Sequence, residues 1–242
     1  MRGKYLILNF ILLIVGIGTI ILFAIKWANE QKIESVSVVG NDLVSHGDLL
    51  SEVSDTLLNK SNSTIKLKNI EKLLKQNPYI QESYITHKNL NEINVEIKER
   101  VPVAALVLEN GNLAFIDGDI NILPYRLYDN MPDVPIIRGV FLNGRIDSTG
   151  ILGSLVLLTK INTEELDYLS TLISEIDYNI NTKNFKLITS ETGTVVMLGT
   201  IKDLELKINK LDSYWKNALL SSENKPKYID LRWANHIISS NS

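Results

Sequence analysis

The side chains that most often do chemistry in proteins are few and scattered in this sequence. His46, His87 and His236 stand alone, without the spacing at which several residues bind one metal ion. There is no cysteine, so the sequence holds neither a thiol nucleophile nor a disulfide framework. No nucleophile elbow, phosphate-binding loop or zinc-protease helix occurs either. The sequence therefore predicts no catalytic residue, no metal site and no cofactor, although an active site of an unfamiliar type stays open.

The acidic residues that could do acid–base work have simpler explanations. Glu164 and Glu165 are adjacent on a predicted amphipathic helix, where a solvated face accounts for both charges. Asp117 precedes Gly118, and this pair is typical of a turn. Neither feature predicts a catalytic pair.

One apolar run dominates the chain. Residues 5–25 carry no charge, and a lysine lies just outside each end. A helix over this run would extend about 32 Å, the thickness of the hydrocarbon core of a bilayer. We therefore expect one transmembrane helix, with residues 1–4 as a short tail.

The charges that flank this run set its expected orientation. Arg2, Lys4 and the α-amino group flank the first end, whereas Lys26 and Lys32 lie beyond the second end among acidic neighbours. The positive-inside rule then predicts a cytoplasmic N-terminus and extracytoplasmic domains, held at the cell membrane. A cleaved signal peptide is the alternative, but the run is long for one and no small-x-small cleavage site follows where it is needed.

The rest of the chain is that of an ordinary folded protein. The net charge of −3 argues against nucleic acid as a partner. Residues 26–242 suffice for one large or two small domains.

A small α+β domain is expected over residues 33–101. Its clearest element is an alternation in which Ile93, Val95 and Ile97 face one way and polar residues face the other, which indicates a half-buried antiparallel strand. The β-α-α-β-β order predicts a small sheet with two helices on one face. The predicted elements are a strand at 33–39, helices at 45–58 and 68–76, and strands at 79–87 and 92–99.

A larger, mixed β domain with helices is expected over residues 102–238. Asn110-Gly111 between two apolar alternations is a strong hairpin signal. Pro132 and Pro135 make residues 131–139 a loop or an edge strand. The other predicted elements are strands at 103–108, 112–116, 184–190, 194–198 and 227–238, and helices at 148–160, 163–176 and 201–220.

Several segments resemble, in order, the signatures of the bacterial cell-division family FtsQ/DivIB, whose members have one membrane span, a POTRA domain and a β domain. Residues 33–41 resemble the family's V.V.GN strand, and residues 93–104 its I.V.ER.PVA seam, which is the most specific match. Residues 228–235 resemble its closing yiDLRypnG. Weaker matches lie at residues 77–80, 115–119 and 131–139.

The resemblance covers nearly the whole chain, with few departures. Trp233 stands where the family usually has Tyr, and His236 where it often has Gly. What the resemblance implies is a non-enzymatic divisome scaffold at the division septum. It would bind FtsB (DivIC in some bacteria) and FtsL outside the membrane and link them to septal peptidoglycan synthesis. No small-molecule substrate is implied.

In that family a partner adds a strand to the sheet edge near the C-terminus, and such an edge offers unpaired N–H and C=O groups. The resemblance thus implies that Tyr228, Asp230, Arg232 and Trp233 line a partner-binding surface. Arg232 would pair with a partner carboxylate, and an aromatic side chain would anchor the contact. Trp233 has an equally open alternative as a core residue, because it is in phase with Ile229 and Leu231.

Two other function classes are open. A POTRA-bearing envelope transport or chaperone module shares the small domain, but it predicts several tandem modules or a C-terminal β-barrel. A membrane-anchored cell-wall enzyme requires a catalytic constellation that the sequence does not display. A fluorescent fusion separates these classes, because a midcell band favours the division scaffold.

Overall fold

The computed structural model of the protein describes residues 2–58, 60 and 61, 65–219 and 225–240. It begins with a long helix, α1 (Arg2–Glu30), which starts three residues before and ends five residues after the predicted span. Residues Leu8–Glu30 are long and apolar enough to cross a membrane, and none of that stretch is buried in protein. The helix therefore fits a protein with a single membrane span.

The chain divides into two compact units. The first contains residues 1–100 with residues 128–130, and the second contains residues 101–127 and 131–242. The fold is α+β, as the sequence predicts.

The first unit has the predicted β-α-α-β-β order. Its three-stranded sheet has the order β1-β3-β2, with β3 parallel to β1 and antiparallel to β2. On β3 the alternation is confirmed, since Ile93, Val95 and Ile97 are buried. The elements are β1 (Ser35–Val39), α2 (His46–Leu57), α3 (Leu67–Leu74), β2 (Ile80–His87) and β3 (Glu92–Glu99).

The turn after β1 explains the glycine of the V.V.GN signature. Gly40 has φ +86°, and a Cβ there would lie 2.2 Å from the Ile97 carbonyl oxygen. The Glu99 carboxylate then accepts the backbone N–H groups of Asp42, Leu43 and Val44 at 3.0, 2.6 and 2.8 Å. Both contacts fix the turn against the middle strand, so the glycine and the glutamate of these signatures have structural roles.

The second unit is built on a nine-stranded sheet. Its strand order is β14-β13-β12-β11-β10-β7-β4-β5-β6, and β8 and β9 form a separate hairpin. The strands are β4 (Pro102–Val107), β5 (Leu113–Asp117), β6 (Ile122–Pro124), β7 (Ile136–Arg138), β8 (Phe141–Leu142), β9 (Arg145–Ile146), β10 (Ile173–Asn179), β11 (Asn184–Thr189), β12 (Val195–Gly199), β13 (Tyr228–Asp230) and β14 (Ile238–Ser240). The helices are α4 (Ser148–Ile161), α5 (Asp167–Leu172) and α6 (Leu204–Tyr214), and a π-helical turn, Trp215–Leu219, follows α6.

The main core of this unit joins one sheet face to the three helices. Two glycines in α4 allow close packing there: a Cβ on Gly150 would lie 2.5 Å from the Tyr178 ring, and one on Gly153 would lie 2.4 Å from the Phe185 ring. Glycine is unfavourable inside a helix, so these two residues weaken the helix prediction. In the structure, their missing side chains allow α4 to pack closely against the sheet. The predicted helix at 148–160 is confirmed.

Three sequence predictions for this unit need correction. The predicted helix at 163–176 contains only the short α5, because Ile173 and Ile176 belong to β10. Ile173 pairs with β11, and Ile176 pairs with both β11 and β7. The segment at 131–139 is not an edge: β7 lies between β10 and β4, and both prolines precede it. The helix predicted at 201–220 begins at Leu204, and residue 220 lies outside the described residues.

We predict that Gly153→Ala destabilises the protein by about 1–3 kcal/mol, because the added Cβ overpacks the Phe185 ring. Helix propensity alone predicts the opposite, a gain of about 1 kcal/mol. Urea unfolding monitored by circular dichroism measures the difference. Gly118→Ala is the matched control, since a Cβ at Gly118 meets no atom within 4 Å. A rise in the unfolding midpoint of Gly153→Ala would contradict the packing role.

The N-cap of α4 predicts an acid-dependent loss of stability. Asp147 accepts hydrogen bonds from Lys183 Nζ at 2.7 Å, from the Gly150 N–H at 2.8 Å and from the Tyr178 hydroxyl at 3.0 Å. The Lys183 bond first, then the Gly150 N–H, lowers the pKa of Asp147 to about 2. A carboxylate whose pKa is lowered by folding stabilises the fold at pH values above its unfolded-state pKa. This stabilisation is lost as the pH falls toward the folded-state pKa.

We therefore expect wild type to exceed Asp147→Asn in stability at pH 7, because asparagine keeps the cap but loses the charge. The difference in unfolding free energy should shrink as pH falls from about 4 to about 2. Denaturant titrations at several pH values measure it, with exposed Asp129→Asn as the control. A pH-independent difference would refute the ionic role of Asp147.

Candidate functional site

The four predicted partner-binding residues lie in β13 and directly after it, next to one edge of the nine-stranded sheet. The prediction of one continuous strand at 227–238 with an open edge is wrong. Residues 228–230 form β13, and the Leu231 N–H still donates to the Met197 carbonyl of β12 at 3.0 Å. Residues 232–237 then leave the sheet, and β14 returns antiparallel to cover the outer side of β13. Within the described part of the chain, β14 is therefore the edge strand at this end.

An ion pair between the buried carboxylate of Asp230 and the guanidinium of Arg232, whose side chain is 44% exposed, stabilises the bend after β13. Arg232 donates from Nε to Asp230 Oδ1 at 2.9 Å and from Nη2 to Oδ2 at 2.6 Å. The Arg232 backbone N–H also donates to Oδ1 at 3.0 Å, and the Tyr228 hydroxyl donates to Oδ2 at 3.2 Å. Asp230 is 4% exposed, so its charge depends on these donors.

The pKa values of the three groups follow from this geometry. The hydrogen bonds from Arg232 outweigh burial and lower the pKa of Asp230. The same bond raises the pKa of Arg232 further above its already high ordinary value. Burial first, then the Asp230 charge, raises the pKa of the Tyr228 hydroxyl. At neutral pH the cluster is thus a carboxylate, a guanidinium and a neutral phenol.

Gly199 makes room for the stem of Arg232. Its φ is +75°, and a Cβ there would lie 2.9 Å from Arg232 Cγ. Arg232 therefore closes over the end of β12, and its guanidinium is already paired within the chain. This placement differs from the expectation that Arg232 meets a partner's carboxylate.

Trp233 follows directly and faces solvent. It is 54% exposed, whereas Ile229 and Leu231 are buried, so the alternative that Trp233 is a core residue is wrong. The strand phase that supports that alternative ends after Leu231, where the chain bends. Ile238 on β14 is a second exposed apolar side chain close to this bend in the chain.

Helix α6 holds the segment that carries Trp233. Lys210 Nζ donates to the Trp233 carbonyl oxygen at 2.7 Å, and the Tyr214 hydroxyl donates to Ser239 Oγ at 2.8 Å. A shallow groove of about 390 Å³ lies between α6 and Ile237, with the exposed Leu206 in its wall. The arrangement presents an apolar groove beside an edge strand, which suits binding of a protein chain.

The backbone of β14 has one residue that faces the open edge. The Ser240 carbonyl accepts the Lys227 N–H at 3.0 Å, so Ser240 faces β13. Because backbone groups alternate between the two sides of a strand, Ser239 directs its N–H and C=O away from β13. These are the groups that an added strand would pair with.

The opposite edge of the same sheet is less suited to strand addition. It is formed by β6, which ends in Pro124, and proline has no N–H to donate. β14 contains neither proline nor charge. The β6 edge is therefore protected against strand addition, whereas the β14 edge is suited to it.

The other chemistry-bearing residues do not converge. His46 begins α2, His87 ends β2, and His236 lies in the segment between β13 and β14. In the described ranges, no group of three or more His, Cys, Asp or Glu side chains is placed to hold a metal ion.

We predict that Arg232→Met destabilises the β13–β14 region by about 2 kcal/mol, because it leaves the Asp230 carboxylate buried without its main partner. The double variant Asp230→Asn/Arg232→Met should recover part of this loss. A double-mutant cycle in urea measures the coupling, which we expect to be about 1 kcal/mol or more. The more exposed pair of Lys186 and Asp177, 3.3 Å apart, is the matched control. Equal coupling in both pairs would contradict the structural role of the buried pair.

Comparison with known proteins gives matches over most of the chain. The family model "POTRA domain, FtsQ-type" matches residues 31–100, and "FtsQ/DivIB, C-terminal related" matches residues 101–240, more than half of the chain. A curated relative, "Cell division protein FtsQ" of Geotalea daltonii, is 25% identical over 178 residues. The match covers 72% of this chain and 63% of the relative, so the chain spans less than two thirds of the relative's length.

Proposed function

Because this chain belongs to the FtsQ/DivIB family, we propose that it is a non-enzymatic scaffold of the cell-division machinery, bound to the membrane by α1. In this proposal the N-terminus is cytoplasmic and both units lie outside the membrane at the division septum. There they bind FtsB/DivIC-like and FtsL-like single-pass proteins and link them to septal peptidoglycan synthesis.

The observation that carries the proposal is the open outer side of β14. A partner segment that pairs with Ser239 would extend the nine-stranded sheet by one strand, and main-chain hydrogen bonds would supply much of the affinity. Charge plays a smaller part in this contact, because β14 is uncharged and the nearest buried charge, Asp230, is already neutralised.

Side chains next to the edge supply the anchors. Trp233 and Ile238 are exposed apolar groups beside it, and a partner that covers them buries area that now contacts water. Of the four residues first assigned to this surface, Trp233 would contact the partner directly. Tyr228, Asp230 and Arg232 would position Trp233 and β14 through the bend in the chain.

This division of roles decides which variant can test direct contact with the partner. Arg232→Glu would place a second carboxylate beside Asp230 and disrupt the bend, so a loss of binding could not be assigned to direct contact. Variants that keep the ion pair are therefore preferred.

We predict that Ser239→Pro weakens binding of the FtsB/DivIC-like extracytoplasmic segment about tenfold or more, because it removes one outward N–H. Proline is tolerated where a strand's N–H faces solvent, so the fold should persist. Ser239→Ala is the matched control: it keeps the N–H and loses only the contact with Tyr214. Fluorescence anisotropy with the full chain in nanodiscs measures both. Equal affinities for the two variants would refute strand addition at β14.

We also predict that Trp233→Ala weakens the same complex by about 2 kcal/mol, roughly 30-fold, through loss of an aromatic anchor. Its thermal stability should stay close to wild type, since the side chain is exposed. Leu152→Ala, which removes an exposed apolar side chain from α4, controls for general surface effects. Unchanged affinity of Trp233→Ala would remove this residue from the interface.

A fluorescent fusion tests the cellular part of the proposal. A midcell band at constriction is expected, and an even envelope signal would contradict a septal role. Protease added to intact cells or spheroplasts should digest the two units if they lie outside the membrane.

A further inference from the structure

The β domain contains a cavity of about 620 Å³ that the proposed partner site does not use. It lies where three neighbouring parallel strands begin, since Pro102 of β4, Ile136 of β7 and Ile173 of β10 are all in its wall. Leu158 and Ile161 of α4 add to an apolar lining. This volume is in the range of small-molecule sites, and the apolar wall favours a ligand with an apolar body.

Hydroxyls are the most frequent polar side chains in the wall. Five line the cavity, Ser170 among them, and the other four each donate their proton to a backbone carbonyl, at 2.9 Å for Thr159 and Thr171, 3.1 Å for Ser174 and 3.3 Å for Ser190. A hydroxyl has one proton and two lone pairs. These four groups therefore have only acceptor capacity left for a ligand.

The charge in the wall also favours a ligand that donates hydrogen bonds. Asp133 is the one ionisable residue among the described residues that line the cavity. No other described residue forms an ion pair or a hydrogen bond with its carboxylate. Asn162 adds an amide, which both donates and accepts. Asp133 is itself exposed to solvent. One carboxylate and four hydroxyls with acceptor capacity disfavour an anion and favour a cationic hydrogen-bond donor.

We propose that this cavity binds a primary ammonium carried on a short aliphatic chain. The aliphatic part would contact the apolar wall, and the ammonium, which has three donors and no acceptor, would meet Asp133 and the hydroxyl oxygens. A free alkylamine and a lysine side chain of a peptide share this chemistry. The site is separate from β14, so its test does not depend on the proposed partner.

The test uses the full chain in detergent micelles and n-pentylammonium as the probe, with 1-pentanol as the uncharged match. Saturation-transfer NMR, corrected with protein-free micelles, gives the affinities. We expect saturable binding of pentylammonium, at least about fivefold tighter than pentanol. Asp133→Asn should remove this difference, because it removes the only carboxylate in the wall. Asp55→Asn, at an exposed position on α2, should preserve it.

Two peptide probes identify the source of the ammonium. If acetyl-Gly-Lys-Gly-amide competes with pentylammonium and its Nε-acetylated form does not, lysine side chains are the ligand. If only the free amine binds, the ligand is a small alkylamine, and the site stands. The proposal fails if pentanol binds as tightly as pentylammonium, if Asp133→Asn and Asp55→Asn behave alike, or if no probe gives saturable binding.

Discussion

The ion pair between the buried carboxylate of Asp230 and the half-exposed guanidinium of Arg232 stabilises the bend in the chain between β13 and β14. The carboxylate is almost fully buried and accepts three donors from Arg232, including its backbone N–H. Leaving such a carboxylate unpaired would cost several kcal/mol, so this pairing holds the chain where it bends beyond Leu231. After the bend Trp233 is exposed, and β14 returns as the edge strand. In the proposed complex the ion pair would support the binding surface without contacting the partner.

Packing elsewhere holds this surface in place. Helix α6 buries Leu204, Ile208 and Leu211 in the main core and reaches the C-terminal segment through Lys210 and Tyr214. The sheet beneath is continuous from β6 to β14, so the edge strand is one part of a single hydrogen-bonded layer. A partner strand would meet a largely preformed edge, which lowers the entropic cost of binding.

Local patterns in the sequence predict much of this structure. The alternation on β3 depends on neighbouring residues only and is confirmed. The helix predicted to begin near residue 45 is confirmed too, and Ser45 is its N-cap. The spacing of Ile173 and Ile176 fits a helix, but pairing with β11, and for Ile176 also with β7, makes them part of a strand. Secondary structure set by distant partners is not visible in a local pattern.

The candidate site shows the same limit. The four residues are neighbours in sequence, so their proximity is predictable, but the direction of each side chain is not. The stem of Arg232 lies over the end of β12 because Gly199, more than thirty residues earlier, leaves space for it. The sequence does contain a signal for this turn. Asp230 lies two residues before Arg232, and an aspartate side chain can accept the backbone N–H of the residue two positions later. β14 has only three residues, too few for a periodic pattern.

Amide hydrogen exchange tests the central claim most directly. The full chain in nanodiscs is compared with and without the extracytoplasmic segment of the proposed FtsB/DivIC-like partner. The account predicts that the amide of Ser239 exchanges freely alone and becomes protected in the complex, while the amides that β14 and β13 share change little. Protection that appears elsewhere, with the Ser239 amide still exchanging freely, would contradict it.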